Sequence, residues 1–196
     1  MNIVNVGYGS TNYYILADSH PKLLIDVGWP GTLPKLQAQC KRTNIKLADV
    51  HYFIATHYHP DHAGLAQELK RLGSKLIVID IQLTAIPALK SVMKPQNNYS
   101  DIDLTDNTML SIADSRDFLD QLGIQGEIIS TPGHSDDSVT LILDDGSAFT
   151  GDLTHPLMMT DTLTDDTHLS WEKIRSMGVK TIYPGHGPTW KLDSQA

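Results

Sequence analysis

Short apolar runs of strand length alternate along this chain with longer segments whose apolar residues recur at helical spacing. Ile3–Val6, Tyr13–Leu16 and Leu23–Asp26 read as strands, and Leu33–Arg42 as a helix. Val50–Ala55, β-branched and aromatic, predicts a further strand. Beyond it Leu65, Leu69 and Leu72 fall at helical spacing within Ala63–Leu72, where Pro60 suits a first turn and Gly73 a stop. The second half echoes the first. Met109–Leu122 is expected to be helical, Glu127–Ser130, Val139–Leu143 and Ala148–Thr150 to be strands, Leu169–Met177 a helix, and Lys180–Tyr183 the last strand. The segment 81–107 is ambiguous, being helix-like over 81–89 but broken by Pro87, and loop-like over Lys94–Tyr99. It either covers a site, with Lys90, Lys94 and Tyr99 as substrate contacts, or is a plain connector. Periodicity alone gives an α/β or α+β fold, and 196 residues without linker, repeat or low-complexity tract suit one domain spanning 1–196.

Composition narrows the function classes. Hydrophobic residues make up 40% and charged residues 19%, ordinary for a globular chain. A formal net charge of −8 with no basic stripe argues against extended nucleic-acid binding and leaves a small-molecule substrate as the expected partner. Asp outnumbers Glu by 20 to 3, which places most acids in turns and helix caps. No span reaches transmembrane length, Met1-Asn2-Ile3-Val4 carries no leader-like charge, and the one cysteine, Cys40, permits no internal disulfide. A cytoplasmic protein without membrane association is therefore expected, in an oligomeric state the sequence leaves open.

The chemistry concentrates in Thr56-His57-Tyr58-His59-Pro60-Asp61-His62, between the end of a strand and the start of a helix. Imidazole and carboxylate are ligands for borderline divalent metals, and four in six positions exceed what one tetrahedral ion uses. Two metals are implied, so the rest of the chain must supply further ligands. His134 follows a predicted strand through Pro132-Gly133, Asp152 follows another through Gly151, and His186 lies in Tyr183-Pro184-Gly185-His186. Each alone is an ordinary turn; together with the first cluster they complete a ligand set. The other histidines are not needed for it: His20 stands before Pro21 in a turn, His51 lies within a strand, and His168 precedes a helix. His155, close after Asp152, stays open as a residue at the mouth. So do Trp29, Pro30 and Leu157-Met158-Met159, as pocket wall or as core.

This ordered pattern, His-x-His-x-Asp-His followed by a His, an Asp and a final His, resembles the metallo-β-lactamase superfamily. Leu24-Ile25-Asp26-Val27-Gly28 is similar to that family's Asp-x-Gly strand end, and Asn12–Leu16 to the hairpin strand before it. The resemblance implies a four-layer αββα sandwich. It also implies two divalent ions, zinc first with iron or manganese as alternatives. His57, His59 and His134 would hold one ion, Asp61, His62 and His186 the other, with Asp152 bridging. Asp26 would orient ligands through hydrogen bonds. Many β-lactamases of the superfamily carry Cys where Asp152 stands, so the glyoxalase-II, lactonase and phosphodiesterase branches are the better match. Only ten residues follow His186, too few for the glutathione-binding extension of glyoxalase II proper. His59 stands where the diiron flavoproteins commonly have Glu, and the basic arm of ribonuclease Z has no counterpart. A water shared by two such cations loses a proton near neutral pH. The expectation is thus a dinuclear metal hydrolase whose metal-bridging hydroxide cleaves a small ester, thioester or lactone, with Asp61 as proton carrier. Phosphodiester hydrolysis at the same site, and a persulfide dioxygenase with one iron on His57, His59 and His134, are the alternatives. A catalytically idle metal-binding module is a third.

Overall fold

Period-two alternation sends neighbouring strand residues to opposite faces, and here both faces are covered. The computed structural model describes residues 1–20, 22–159 and 165–192. β1 (Ile3–Asn5), β2 (Tyr14–Leu16), β3 (Lys22–Ile25), β4 (Val50–Ile54), β5 (Lys75–Ile79) and β6 (Thr108–Leu110) form one sheet in that spatial order. The first three pair antiparallel, and β3 to β6 run parallel. β7 (Gly126–Ser130), β8 (Val139–Leu143), β9 (Ser147–Gly151), β10 (Thr181–Pro184) and β11 (Trp190–Lys191) form the second, again in chain order. Only its β9–β10 pairing is parallel.

Alternation decides which residues fill which layer. Leu23, Ile25, Ile54, Ile77 and Ile79 of the first sheet meet Ile128, Leu141, Leu143 and Phe149 of the second in a central core. Their chain neighbours Leu24, Phe53, Leu76 and Val78 point the other way, onto α1 (Leu33–Arg42), α3 (Ala66–Arg71) and α4 (Ala85–Ser91). On the far side Ile129, Ile142, Ala148 and Ile182 pack against Trp171 and Ile174 of α6 (Asp165–Ser176). Three cores between four layers make the αββα sandwich. Burial of each large aliphatic side chain contributes roughly 1.5–3 kcal/mol before entropy is counted.

Several expected elements differ. Ala63–Leu72 is not one helix: α2 (Pro60–Ala63) stops and α3 begins after Leu65, whose N–H bonds to Gly28 O at 2.8 Å. A side chain at Gly64 would collide with Pro60 O, Pro30 and Gly28 O, so close packing of the Gly28 loop sets the break. Met109–Leu122 is also divided. Thr108–Leu110 pairs with β5 as an edge strand, Ser111 caps a short 3-10 turn at Ile112–Asp114, and α5 follows over Ser115–Gln121. Strand pairing overrides the local helical preference there. Pro87 does not break α4, because at the third helical position its missing N–H costs no bond. β5 and β11 are not among the expected strands. α6 starts at Asp165, so His168 lies inside it instead of before it. Pro21, half of the expected turn at His20, lies outside the described residues.

Candidate metal centre

Every residue of the expected ligand set comes after the C-terminal end of a strand. β4 leads to His57, His59, Asp61 and His62, β7 to His134, β9 to Asp152 and β10 to His186. β7, β9 and β10 point the same way, so their ends share one rim. Val139 N–H donates to Thr56 O at 2.8 Å, tying the first sheet's loop to the second sheet at that rim. Gly151, at φ 54°, lies where a side chain would strike Thr56, and it turns the chain so that Asp152 follows.

Two triads result, with Asp152 between them. The ligand atoms of His57, His59 and His134 lie within 4.8 Å of one another, as do those of Asp61, His62 and His186. Asp152 groups with His57 of the first triad and His62 of the second. Nitrogen ligands at about 2.0–2.1 Å from a tetrahedral zinc stand about 3.3 Å apart. The observed spacings straddle that value: His59 Nδ1 to His134 Nε2 3.0 Å, His62 Nε2 to Asp152 Oδ1 3.2 Å, His186 Nε2 to Asp61 Oδ2 3.2 Å, and His186 Nε2 to Asp152 Oδ2 3.4 Å. Asp152 Oδ2 is looser toward His134 and His57, at 3.7 and 4.0 Å.

Hydrogen bonds on the far ring nitrogens assign the tautomers. His62 Nδ1 donates to Asp26 Oδ2 at 2.8 Å, His186 Nδ1 to Ser10 O at 2.7 Å, and His57 Nδ1 meets the Thr56 hydroxyl at 3.2 Å. Each Nε2 is left with its lone pair facing the centre. His57 Nε2, His62 Nε2 and Asp152 Oδ1 are buried without a hydrogen-bond partner. Lone pairs of imidazole and carboxylate converging at such distances repel unless a cation stands between them. The donor set therefore fits divalent metal ions. The electrostatics show the same demand for positive charge at the centre: where no metal ion takes His62 Nε2, a proton does. Burial opposes charge on His62, but Asp26 and Asp152 outweigh it and push the imidazole up to about 10. Burial and the surrounding imidazoles hold His57 well below its usual range, and burial also lowers His134. Asp152 is lowered by His62, His186 and His134 even though burial works the other way.

Asp26 serves as the orienting carboxylate the sequence suggested, and it also accepts from Thr56 N–H at 2.7 Å and from the Thr56 hydroxyl. Three supporting residues escape a reading of the sequence. Thr11 donates to Asp61 Oδ2 at 3.0 Å and forms a bridge with His186. Asp137, just past His134, accepts Tyr58 N–H at 2.7 Å and so locks the backbone between His57 and His59. Gln82, fully buried, donates to the carbonyls of Ala55, Thr56 and Asp137. Asp137 was visible only as an acidic turn residue, and Gln82 gives no local signal.

A cavity of about 520 Å³ opens beside Asp152, His134 and His186, walled by Leu153, Met158, Trp171, Ile182 and Trp190 with His155. Met158 and His155 thus belong to the wall, whereas Met159 packs on the outer core and Leu157 is solvent-exposed. Of the two readings of 81–107, cover or plain connector, this cavity favours the connector: none of its residues lines the wall among the described residues. Lys90 pairs with Asp101, Tyr99 packs on the first sheet's outer core, and the Lys94 backbone N–H donates to Asn97 Oδ1 at 2.7 Å. Trp29 and Pro30 are also outside the wall. His51 bonds to Asp49 O, and Cys40 is buried on the inner face of α1. Among the described residues no helix is long and apolar enough to cross a membrane.

The family profile described as the metallo-beta-lactamase superfamily matches residues 6–186. A "Beta-lactamase-like protein 2 homolog" of Caenorhabditis elegans is 28% identical over 183 residues, covering 91% of this chain and 56% of that protein. An "Atrochrysone carboxyl ACP thioesterase" of Aspergillus fumigatus is 29% identical over 185 residues, covering 90% and 50%. The chain thus spans about half the length of these curated relatives. A crystal structure of a metallo-beta-lactamase family protein from Thermus thermophilus superposes with a TM-score of 0.71 at 16% identity, covering 99% of this chain and 75% of that one, which bears on fold alone. With the profile extending from β2's approach to the last of the clustered histidines, the chain belongs to the metallo-beta-lactamase superfamily.

Proposed function

We propose that this chain is a dinuclear metal hydrolase, with zinc the first-choice metal, acting on a small ester, thioester or lactone. One observation carries the reading: two separate three-residue donor sets meet at Asp152, whose two carboxylate oxygens face members of both. His57, His59 and His134 would hold one ion, and Asp61, His62 and His186 the other. Bound there, the ions would supply a nucleophile from water at neutral pH and polarise the substrate carbonyl. Asp152 would then set their separation. Asp61 is held by Thr11 through Oδ2, and its Oδ1 makes no hydrogen bond among the described residues, which suits it to carry a proton to the leaving group. Among the described residues the cavity wall has no Lys or Arg, which favours a neutral carbonyl substrate over a phosphodiester. A persulfide dioxygenase with one iron would leave the second triad without a purpose.

Elemental analysis of the purified protein, set against turnover of lactones, thioesters and bis-aryl phosphodiesters by wild type and Asp152→Ala, tests the proposal. Two metal ions per chain and ester-type turnover lost in the variant are expected. One iron per chain with oxygen uptake on a persulfide would overturn the proposal, as would equal rates for the two proteins.

A further inference from the structure

We infer that His155 and Trp190 are specificity-determining residues that hold a neutral aromatic acyl group in the cavity beside the metal centre, an inference that rests on the hydrolase reading of that centre. The wall is ring-rich. The His155 ring lies 4.2 Å from that of Trp190 at 46°, and Trp171 lies 5.7 Å beyond it. Trp171 is itself fixed, its indole N–H donating to Thr154 O at 2.8 Å. Leu153, Met158 and Ile182 complete the apolar lining, and about 520 Å³ is room for a two-ring group. Among the described residues Asp152 is the wall's one acid, and no Lys or Arg stands there to pair with an anionic tail. A charged acyl group would meet no side-chain counter-ion in that wall, whereas an aryl group gains ring stacking there.

His155 adds direction. Leu157 N–H donates to His155 Nδ1 at 3.1 Å, which assigns the ring proton to Nε2 and makes that nitrogen a donor. The backbone of the short 3-10 turn at Pro156–Met158 therefore fixes the tautomer of a ring in the cavity wall. A donor there suits a carbonyl or hydroxyl on the acyl group. Only Leu153 and Thr154 separate His155 from Asp152 along the same loop, so an acyl group against Trp190 adjoins the expected ligands.

The test pairs binding with kinetics on the metal-loaded protein. Calorimetry with 2-naphthamide, a neutral amide, reads the cavity without turnover, and methyl thioesters of acetic and 2-naphthoic acid read it during turnover. Wild type should bind the amide and prefer the naphthoyl thioester by about tenfold or more in kcat/KM, the scale of one good ring contact plus one hydrogen bond. Trp190→Ala should abolish amide binding and that preference, and Trp190→Phe, which keeps a ring and guards against misfolding of the edge strand, should retain most of both. His155→Phe should raise KM for the naphthoyl thioester about tenfold with kcat and metal content unchanged, and His155→Gln, which keeps a donor, should recover part of it. Amide binding that Trp190→Ala abolishes, without cleavage of any thioester or ester, would sink the hydrolase reading and leave the cavity assignment standing. Thioester cleavage with no naphthoyl preference, or with a preference indifferent to both positions, would overturn the inference made here.

Discussion

Asp26 Oδ2 accepts the Nδ1 proton of His62 at 2.8 Å, and Asp26 does so from a left-handed backbone at φ 59° while 2% exposed. A non-glycine residue in that region is strained, and the strain is tolerated where surrounding bonds fix it. Here Thr56 N–H, the Thr56 hydroxyl and His62 all converge on one carboxylate. Asp26 therefore joins the end of β3 to the His57–His62 loop and sets which nitrogen of His62 faces the centre.

Asp26→Ala should weaken metal binding at the Asp61, His62 and His186 triad by about 10–100-fold, the usual effect of losing a ligand's orienting partner. It should also cost about 1–3 kcal/mol of stability, because Thr56 N–H is left buried and unpaired. Asp26→Asn keeps one acceptor and should lose less of both. Competition titration with a chromophoric chelator and thermal melts measure the two effects; an Ala variant binding two ions as tightly as wild type would refute the role.

Gly185 is predicted to tolerate no side chain. A Cβ there would lie 2.5 Å from Asp152 Oδ1 and 2.6 Å from His62 Cε1. Something must shift, and both neighbours are members of the expected ligand set. Gly185→Ala should lower kcat by about two orders of magnitude, since displacements near 1 Å cost that much at a reacting centre. The fold should survive, as seen by an unchanged far-ultraviolet circular dichroism spectrum. Full activity in Gly185→Ala would mean that Asp152 and His62 need not hold these positions.

The ligands were legible in the sequence because a strand end followed by glycine and a ligand is local information. His134, Asp152 and His186 each announce themselves that way, whereas the two-sheet arrangement came from the family resemblance, because an unbroken apolar run such as Leu23-Leu24-Ile25 says only that both faces of its strand are covered. What escaped is non-local. Met109 belongs to a strand because β5 offers it a partner, Val78, 31 residues earlier, and nothing between Thr108 and Leu122 says so. Gln82 matters through three carbonyls on two distant loops. The cavity wall gathers 150–155, 158, 171, 182 and 190, a set no window of sequence contains. The segment 81–107 was the reverse case, an irregular stretch in which Lys90 pairs with Asp101 instead of lining the cavity.

Cys40 gives a prediction independent of the centre. Burial pushes its thiol from an ordinary value of 9.0 up to about 11, and it is 1% exposed on the inner face of α1. The sign follows from proton counting: between pH 9 and about 11 the unfolded chain releases the thiol proton while the folded one keeps it, so this contribution to stability is lost as pH rises through that window. At pH 8 Ellman's reagent should label folded protein at least about 100-fold more slowly than urea-unfolded protein, because the thiolate is the reactive form and the site is closed. Equal rates in the two states would show that α1 does not seal Cys40.

Asp137 should separate geometry from charge. Its Oδ2 takes the N–H of Tyr58 at 2.7 Å, and its backbone carbonyl takes Gln82, so one residue beyond His134 holds the backbone between His57 and His59. That bond connects the two loops that must supply the first triad. Asp137→Asn keeps an oxygen at the same place and should change stability by less than about 1 kcal/mol. Asp137→Ala leaves Tyr58 N–H buried and unpaired, and should cost about 1–3 kcal/mol. If the bond also sets the register of the triad, Asp137→Ala should weaken the His57, His59 and His134 site more than the Asp61, His62 and His186 site, and Asp137→Asn should not. Stepwise metal titration followed by thermal melts distinguishes the cases. Equal losses in both variants would assign the effect to the carboxylate's charge instead of to its hydrogen bond.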